Sequence, residues 1–139
     1  PEILTALRSA ARRGVEVKLV LPEKNNHKYA GLASKALYEN LLSAGVRIYL
    51  RNPPFIHAKS MVIDRKVALI GTANLDIRSL ELNYETTILI ENKTTAVKIK
   101  NIIEEDIAAS NELDDKKWKQ RSKLDRLAEN FCALLTPLL

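Results

Sequence analysis

The chain has 139 residues, one domain by the usual measure of roughly 100 to 200 residues each, and its 46% hydrophobic and 28% charged content excludes a disordered, fibrous or collagen-like protein. Twenty-two basic against 17 acidic side chains leave a net charge of +5, a mild bias toward anionic partners such as nucleic acid or acidic lipid head groups. Four scattered glycines exclude a glycine-rich nucleotide cradle, one cysteine excludes an internal disulfide, that thiol with two histidines cannot fill a four-ligand zinc site, and no run free of Asp, Glu, Lys and Arg exceeds ten residues, about half of a membrane-spanning helix.

Residues 2–13 place Ile3, Leu4, Leu7, Ala10 and Ala11 on one face and Arg8, Arg12 and Arg13 on the other, which predicts an amphipathic helix stopped by Gly14. Residues 15–22 alternate and close at Pro22 as a strand. Turn-forming residues lead to a second helical pattern over 29–44, with Leu32, Ala36, Leu37, Leu41 and Leu42 apolar. Gly45 stops it, and residues 46–51 read as the next strand, completing a β-α-β unit. Asn52-Pro53-Pro54 is a rigid connector, since proline cannot donate to a ladder. Residues 58–64 and 66–71 are expected to form a hairpin about Asp64-Arg65, residues 84–90 a further strand, and residues 94–109 a helix with Val97, Ile99, Ile102, Ile103 and Ile107 apolar. The expected organisation is one α/β unit over 1–110 and a basic helical extension over 111–139 packing on it. Its stretch 114–126 carries Lys116, Lys117, Lys119, Arg121, Lys123 and Arg126 against Asp114, Asp115 and Asp125.

The chemistry concentrates after the connector: His57-x-Lys59, then Asp64, then Gly71-Thr72-x-Asn74. In a strand, residues two apart share a face roughly 7 Å apart, so His57 and Lys59 can address one phosphate together. Asp64 has the opposite parity and falls at the turn, which gives it a structural role in the hairpin. Gly71 permits close approach after the second strand, and Thr72 and Asn74 then offer a hydroxyl and an amide to phosphoryl oxygens. A phosphodiester catalyst needs charge neutralisation, a nucleophile and an acid for the leaving alkoxide. Lys59 and Asn74 answer the first need and an imidazole either of the others.

This spacing resembles the HKD signature of the phospholipase D superfamily, which five fixed residues and one Ser/Thr choice would produce by accident on the order of once in 10⁵ such chains or fewer. Further runs, including Gly71-Thr-Ala-Asn-Leu-Asp-Ile-Arg-Ser-Leu, Leu82-Asn-Tyr-Glu and Leu134-Leu-Thr-Pro-Leu-Leu, are similar to the C-terminal half of bacterial cardiolipin synthases over nearly the whole length. The resemblance implies an α/β fold, a phospholipase D-like α-β-α sandwich that is one half of a pseudo-twofold molecule with two motifs. It implies phosphatidyl transfer between two phosphatidylglycerol molecules through a phospho-histidine, with no metal and no cofactor. His57, Lys59 and Glu85 would be catalytic, Lys59, Thr72 and Asn74 would hold the phosphate, and Asp64 and Gly71 would be structural. Glu85 would orient His57, with Glu81 the fallback carboxylate.

The implied partners are anionic phospholipid, a membrane surface at the bacterial cell membrane, and a second HKD half lying upstream of Pro1 or in a partner subunit. In two-motif relatives the first half's histidine is the nucleophile, which would make His57 the acid and base. A single-motif homodimeric nuclease is the alternative that brings in nucleic acid, and an inactive lipid-binding fragment is the non-enzymatic one. His27 and Arg78 are expected to face solvent, and Cys132 to lie in the core.

Overall fold

The computed structural model describes residues 2–24, 28–52, 56–75, 79 and 83–134, with the backbone alone at 28–30. His27, the connector prolines, Arg78, Glu81 and the 135–139 tail lie outside the described residues. Eleven elements follow one another: α1 (Glu2–Arg12), β1 (Lys18–Pro22), α2 (Lys28–Leu42), β2 (Arg47–Arg51), β3 (Ser60–Ile63), β4 (Val67–Gly71), β5 (Thr87–Ile90), α3 (Lys93–Ala108), β6 (Ser110–Glu112), α4 (Asp115–Lys119) and α5 (Lys123–Leu134).

The first two helices end in the same way. Gly14 and Gly45 take φ of +88° and +93°, which costs a glycine little, and the following Val15 and Val46 donate back to Ala10 and Leu41 at 3.1 Å. Each turn releases the chain into one of two parallel neighbours, β1 and β2, paired with Lys18 opposite Arg47 and Pro22 opposite Arg51. The turn at Gly14 also delays β1 to Lys18, three residues beyond the sequence expectation. Leu4, Val17, Tyr38, Leu41, Val46 and Ile48 form the buried cluster between these strands and helices α1 and α2, with Ile48 wholly enclosed. At roughly 25 cal/mol per Å² of apolar surface withdrawn from water, this cluster is the main source of the domain's stability.

On its other edge β2 pairs antiparallel with β6, Tyr49 opposite Glu112, giving the order β1-β2-β6. Strand β6 was not anticipated, because Ser110-Asn111-Glu112 is short and polar. Strands β3, β4 and β5 form a separate antiparallel meander. The β3–β4 turn is closed by Lys66 N–H on Ile63 O at 3.0 Å, with Asp64 and Arg65 at φ of +51° and +57°, the left-handed pair of a type I′ turn. Strand β5 begins at Thr87, three residues after the expected start.

Helix α3 joins the two sheets, touching strands of both. Its first turn is capped by Asn92, whose side chain accepts from Thr95 N–H at 2.9 Å. Its polar side reaches β1 and β2 through Glu104 to Lys18 at 3.7 Å and Asp106 to Arg51 at 3.6 Å. Ala96 on this helix and Ala68 on β4 are both fully buried. Helices α4 and α5 return over α2. Cys132 is buried there, as expected.

Candidate active site

The HKD residues gather at one end of the β3–β5 sheet. Lys59 precedes β3 by one residue, and its carbonyl accepts from Gly71 N–H at 3.0 Å, so the ladder continues past the strand and sets positions 59 and 71 side by side. On the opposite edge of β4, Thr72 N–H donates to Thr86 O at 3.0 Å, which brings the end of β4 against the approach to β5. Gly71 is required at this crossing. A Cβ built there would sit 2.5 Å from the backbone Thr86 O and 2.6 Å from the side-chain Thr87 Oγ1, inside van der Waals contact with both.

The side chains follow from that frame. The Lys59 ammonium donates to the His57 carbonyl at 2.8 Å, which folds the lysine back along the histidine's own backbone. His57 itself is exposed, and Lys59 and Glu85 are half-buried. The Thr72 hydroxyl donates to the Glu85 carboxylate and accepts from Thr86 N–H at 3.1 Å. Because a hydroxyl carries one proton, Thr72 in this arrangement fixes Glu85 instead of presenting a donor to a phosphate. The Asn74 amide reaches Ser79 Oγ at 3.4 Å. Ser79 is buried, and no motif in the sequence singled it out. Its signal there is its place in the run Gly71-Thr-Ala-Asn-Leu-Asp-Ile-Arg-Ser-Leu, five residues beyond Asn74.

The arrangement has defined chemical capacities. A half-buried lysine two residues from an exposed histidine can neutralise an anionic diester that approaches from solvent. A carboxylate held by a hydroxyl keeps its second oxygen for another donor. Asp64 stands at the far end of the hairpin from Lys59, at the turn. Among the described residues no group of three or more His, Cys, Asp or Glu could hold a metal ion, and no helix is long and apolar enough to cross a membrane.

An open depression bounded by Gly45, Arg47, Glu112 and Asp115 takes none of its lining residues from the β3–β5 sheet. Arg47 holds Glu112 across it through two bonds of 2.8 Å, and this keeps the Glu112 carboxyl below its ordinary range. That site is a structural clasp between β2 and β6.

Comparison with known proteins gives the site its context. Cardiolipin synthase A of Escherichia fergusonii is 39% identical over 138 residues, 99% of this chain, and the same protein of Escherichia coli K12 matches equally. The chain spans 28% of the length of these relatives. A crystal structure of a phospholipase D family member, Nuc from Salmonella typhimurium, superposes with a TM-score of 0.71 at 23% identity, covering 81% of this chain and 74% of that one. It shares the α/β fold. The family model for the phospholipase D-like domain of cardiolipin synthase matches residues 1–107. Because that match runs from α1 almost to the end of α3 and takes in the whole of the His57 motif, the chain belongs to the phospholipase D-like domain family of the cardiolipin synthases.

Proposed function

We propose that this chain supplies one half of the active site of a phosphatidyltransferase that joins two phosphatidylglycerol molecules into cardiolipin and releases glycerol. The observation that carries the reading is the convergence of Lys59, Gly71, Thr72 and Glu85 on one sheet end, two residues from an exposed His57. The 39% identity to proteins named cardiolipin synthase A supports the choice of substrate.

The reaction needs two imidazoles, and His57 is one of them. The second comes from another HKD half, upstream in the same protein or in a partner subunit. One imidazole attacks phosphorus of the first phosphatidylglycerol. The bond from phosphorus to the glycerol oxygen breaks, and that oxygen takes a proton from the other imidazole in its charged form. The hydroxyl of the second phosphatidylglycerol then gives its proton back to that imidazole and attacks phosphorus. The phosphorus–nitrogen bond breaks and cardiolipin leaves.

Lys59 swings from the His57 carbonyl to the phosphoryl oxygens, and Asn74 donates from the opposite side. Thr72 holds Glu85, and Glu85 accepts from the imidazole ring of His57, fixing its tautomer. The exposed Ile70 and Ile88, cross-strand partners on one face of the same sheet, give the second half an apolar surface to cover.

The test is conversion of phosphatidylglycerol to cardiolipin and free glycerol by the natural full-length protein, followed by mass spectrometry. His57→Ala abolishes product, and a chelator leaves the parent's rate unchanged. Parental turnover by His57→Ala, or cleavage of DNA without lipid turnover, overturns the proposal.

A further inference from the structure

Helix α5 is amphipathic in the wrong sense for a helix that only completes a core. The side it lays against the domain carries Arg126, Glu129 and Cys132, where Glu129 is bonded to Arg121 and Arg126 to Glu39 of α2. The side turned away carries Leu124, Leu127, Phe131 and Leu134, exposed by 77%, 67%, 62% and 80%. These four recur at steps of three and four, so they line a single stripe about 15 Å long. A contiguous apolar stripe of that size on a helix marks a surface that meets something.

The surrounding charges identify the occupant. Lys116, Lys117 and Lys123 are exposed and make no ion pair among the described residues. Lys123 is one turn before Leu127. The carboxylates of the same stretch are largely engaged: Asp114 caps α4 through Lys117 N–H, Asp115 holds Lys119 at 2.7 Å, and Glu129 is buried against Arg121 at 2.7 Å. Asp125 is displaced around the helix by roughly 100° or more from Leu124 and Leu127. An apolar stripe flanked by Lys123, in a stretch whose three exposed lysines without an ion pair outnumber the exposed Asp114 and Asp125, is complementary to an anionic bilayer surface. Leucine and phenylalanine enter the acyl boundary of such a surface, and lysines reach the head groups.

We propose that α5 is a membrane-docking helix that lies in the plane of an anionic bilayer, with Leu124, Leu127, Phe131 and Leu134 inserted and Lys116, Lys117 and Lys123 on the lipid phosphates. The docking stands apart from the transfer chemistry. It presents the domain to its lipid surface without any part in the reaction.

The test is flotation of the 139-residue chain with vesicles of phosphatidylcholine and phosphatidylserine, the latter anionic but outside the proposed reaction. The chain floats with these vesicles and stays at the bottom with phosphatidylcholine alone. Leu127→Gln/Phe131→Gln weakens partitioning about tenfold or more, with the circular dichroism spectrum and melting temperature of the parent, since both side chains are exposed. A fluorescent probe on Leu127→Cys in a Cys132→Ala background shifts to the blue when those vesicles are added, a second readout that needs no apolar-to-polar change. The proposal is overturned if the parent does not float, if the double variant floats equally well, or if that variant alters only the sedimentation coefficient in the absence of lipid, which gives the stripe to a second copy of the chain.

Discussion

Removing the guanidinium of Arg121 should cost the domain more than any surface substitution. Glu129 is 3% exposed, and its carboxylate takes three bonds from Arg121 between 2.7 and 3.4 Å. The same guanidinium lies 4.0 Å over the Trp118 ring and donates to the Trp118 carbonyl at 2.7 Å, and Trp118 in turn meets Tyr38 of the core at 5.5 Å between ring centroids. Arg121→Met keeps the aliphatic stem but leaves a buried carboxylate without its partner, a loss of about 3–5 kcal/mol. For a domain of this size that lowers the melting temperature by roughly 10 °C or more. Arg121→Met/Glu129→Met removes both charges together and should recover most of the loss, because apolar replacement of a buried pair is often near neutral. Urea titrations followed by the fluorescence of Trp118, the single tryptophan, measure all four corners of the cycle. A loss below about 1 kcal/mol in the single variant, or a double variant no better than the single, refutes the reasoning.

Gly71→Ala forces a methyl against the Thr86 carbonyl and should lower stability by about 1–3 kcal/mol, displacing the strand that carries Thr72; an unchanged urea midpoint contradicts it. Thr72→Val removes the hydroxyl that holds Glu85 and should slow cardiolipin formation about tenfold, with Thr72→Ser restoring most of the rate; equal rates in Val and Ser variants leave Thr72 without that role. Burial raises the Tyr38 hydroxyl from 10.0 to about 12. A raised folded value means that its contribution is complete below pH 10 and is lost as pH climbs toward 12, an effect of roughly 3 kcal/mol. Alkaline unfolding should therefore steepen over that interval and flatten in Tyr38→Phe, and an identical pH profile for the two proteins counts against it.

The sequence shows those parts of the fold that local chemistry decides. Gly14 and Gly45 mark helix ends because the left-handed turn favours glycine, and Asp64-Arg65 marks the hairpin because the apolar runs on either side leave it no other place. The expected helix over 94–109 differs from α3 by one residue at each end. Strands β3 and β5 begin later than their patterns suggest because a ladder starts where a partner arrives, which no single stretch specifies. Strand β6 has no apolar signal, since its place is set by the Arg47–Glu112 pair and by Leu113 donating to Ile48 O at 2.8 Å.

At the site, the types and spacing of His57, Lys59, Thr72 and Asn74 can be read directly. The bond between Thr72 and Glu85 cannot, because it depends on how β4 and β5 come into register. Ser79 is hidden for the same reason. The stripe on α5 shows its period in the sequence, but which side of the helix meets the protein is decided by Arg121, Glu129 and α2.

Strand β6 also has a consequence for biosynthesis. Tyr49 of β2 waits for Glu112, more than sixty residues further along, before its outer edge is paired, whereas β3, β4 and β5 pair with neighbours within about twenty residues. As the chain leaves the ribosome, the hairpins that carry the histidine motif can close first, and the earlier-made sheet completes only when residues 110–112 emerge. Nascent chains halted before that point should keep β2 open to proteases and chaperones, although its core residues have long been synthesised.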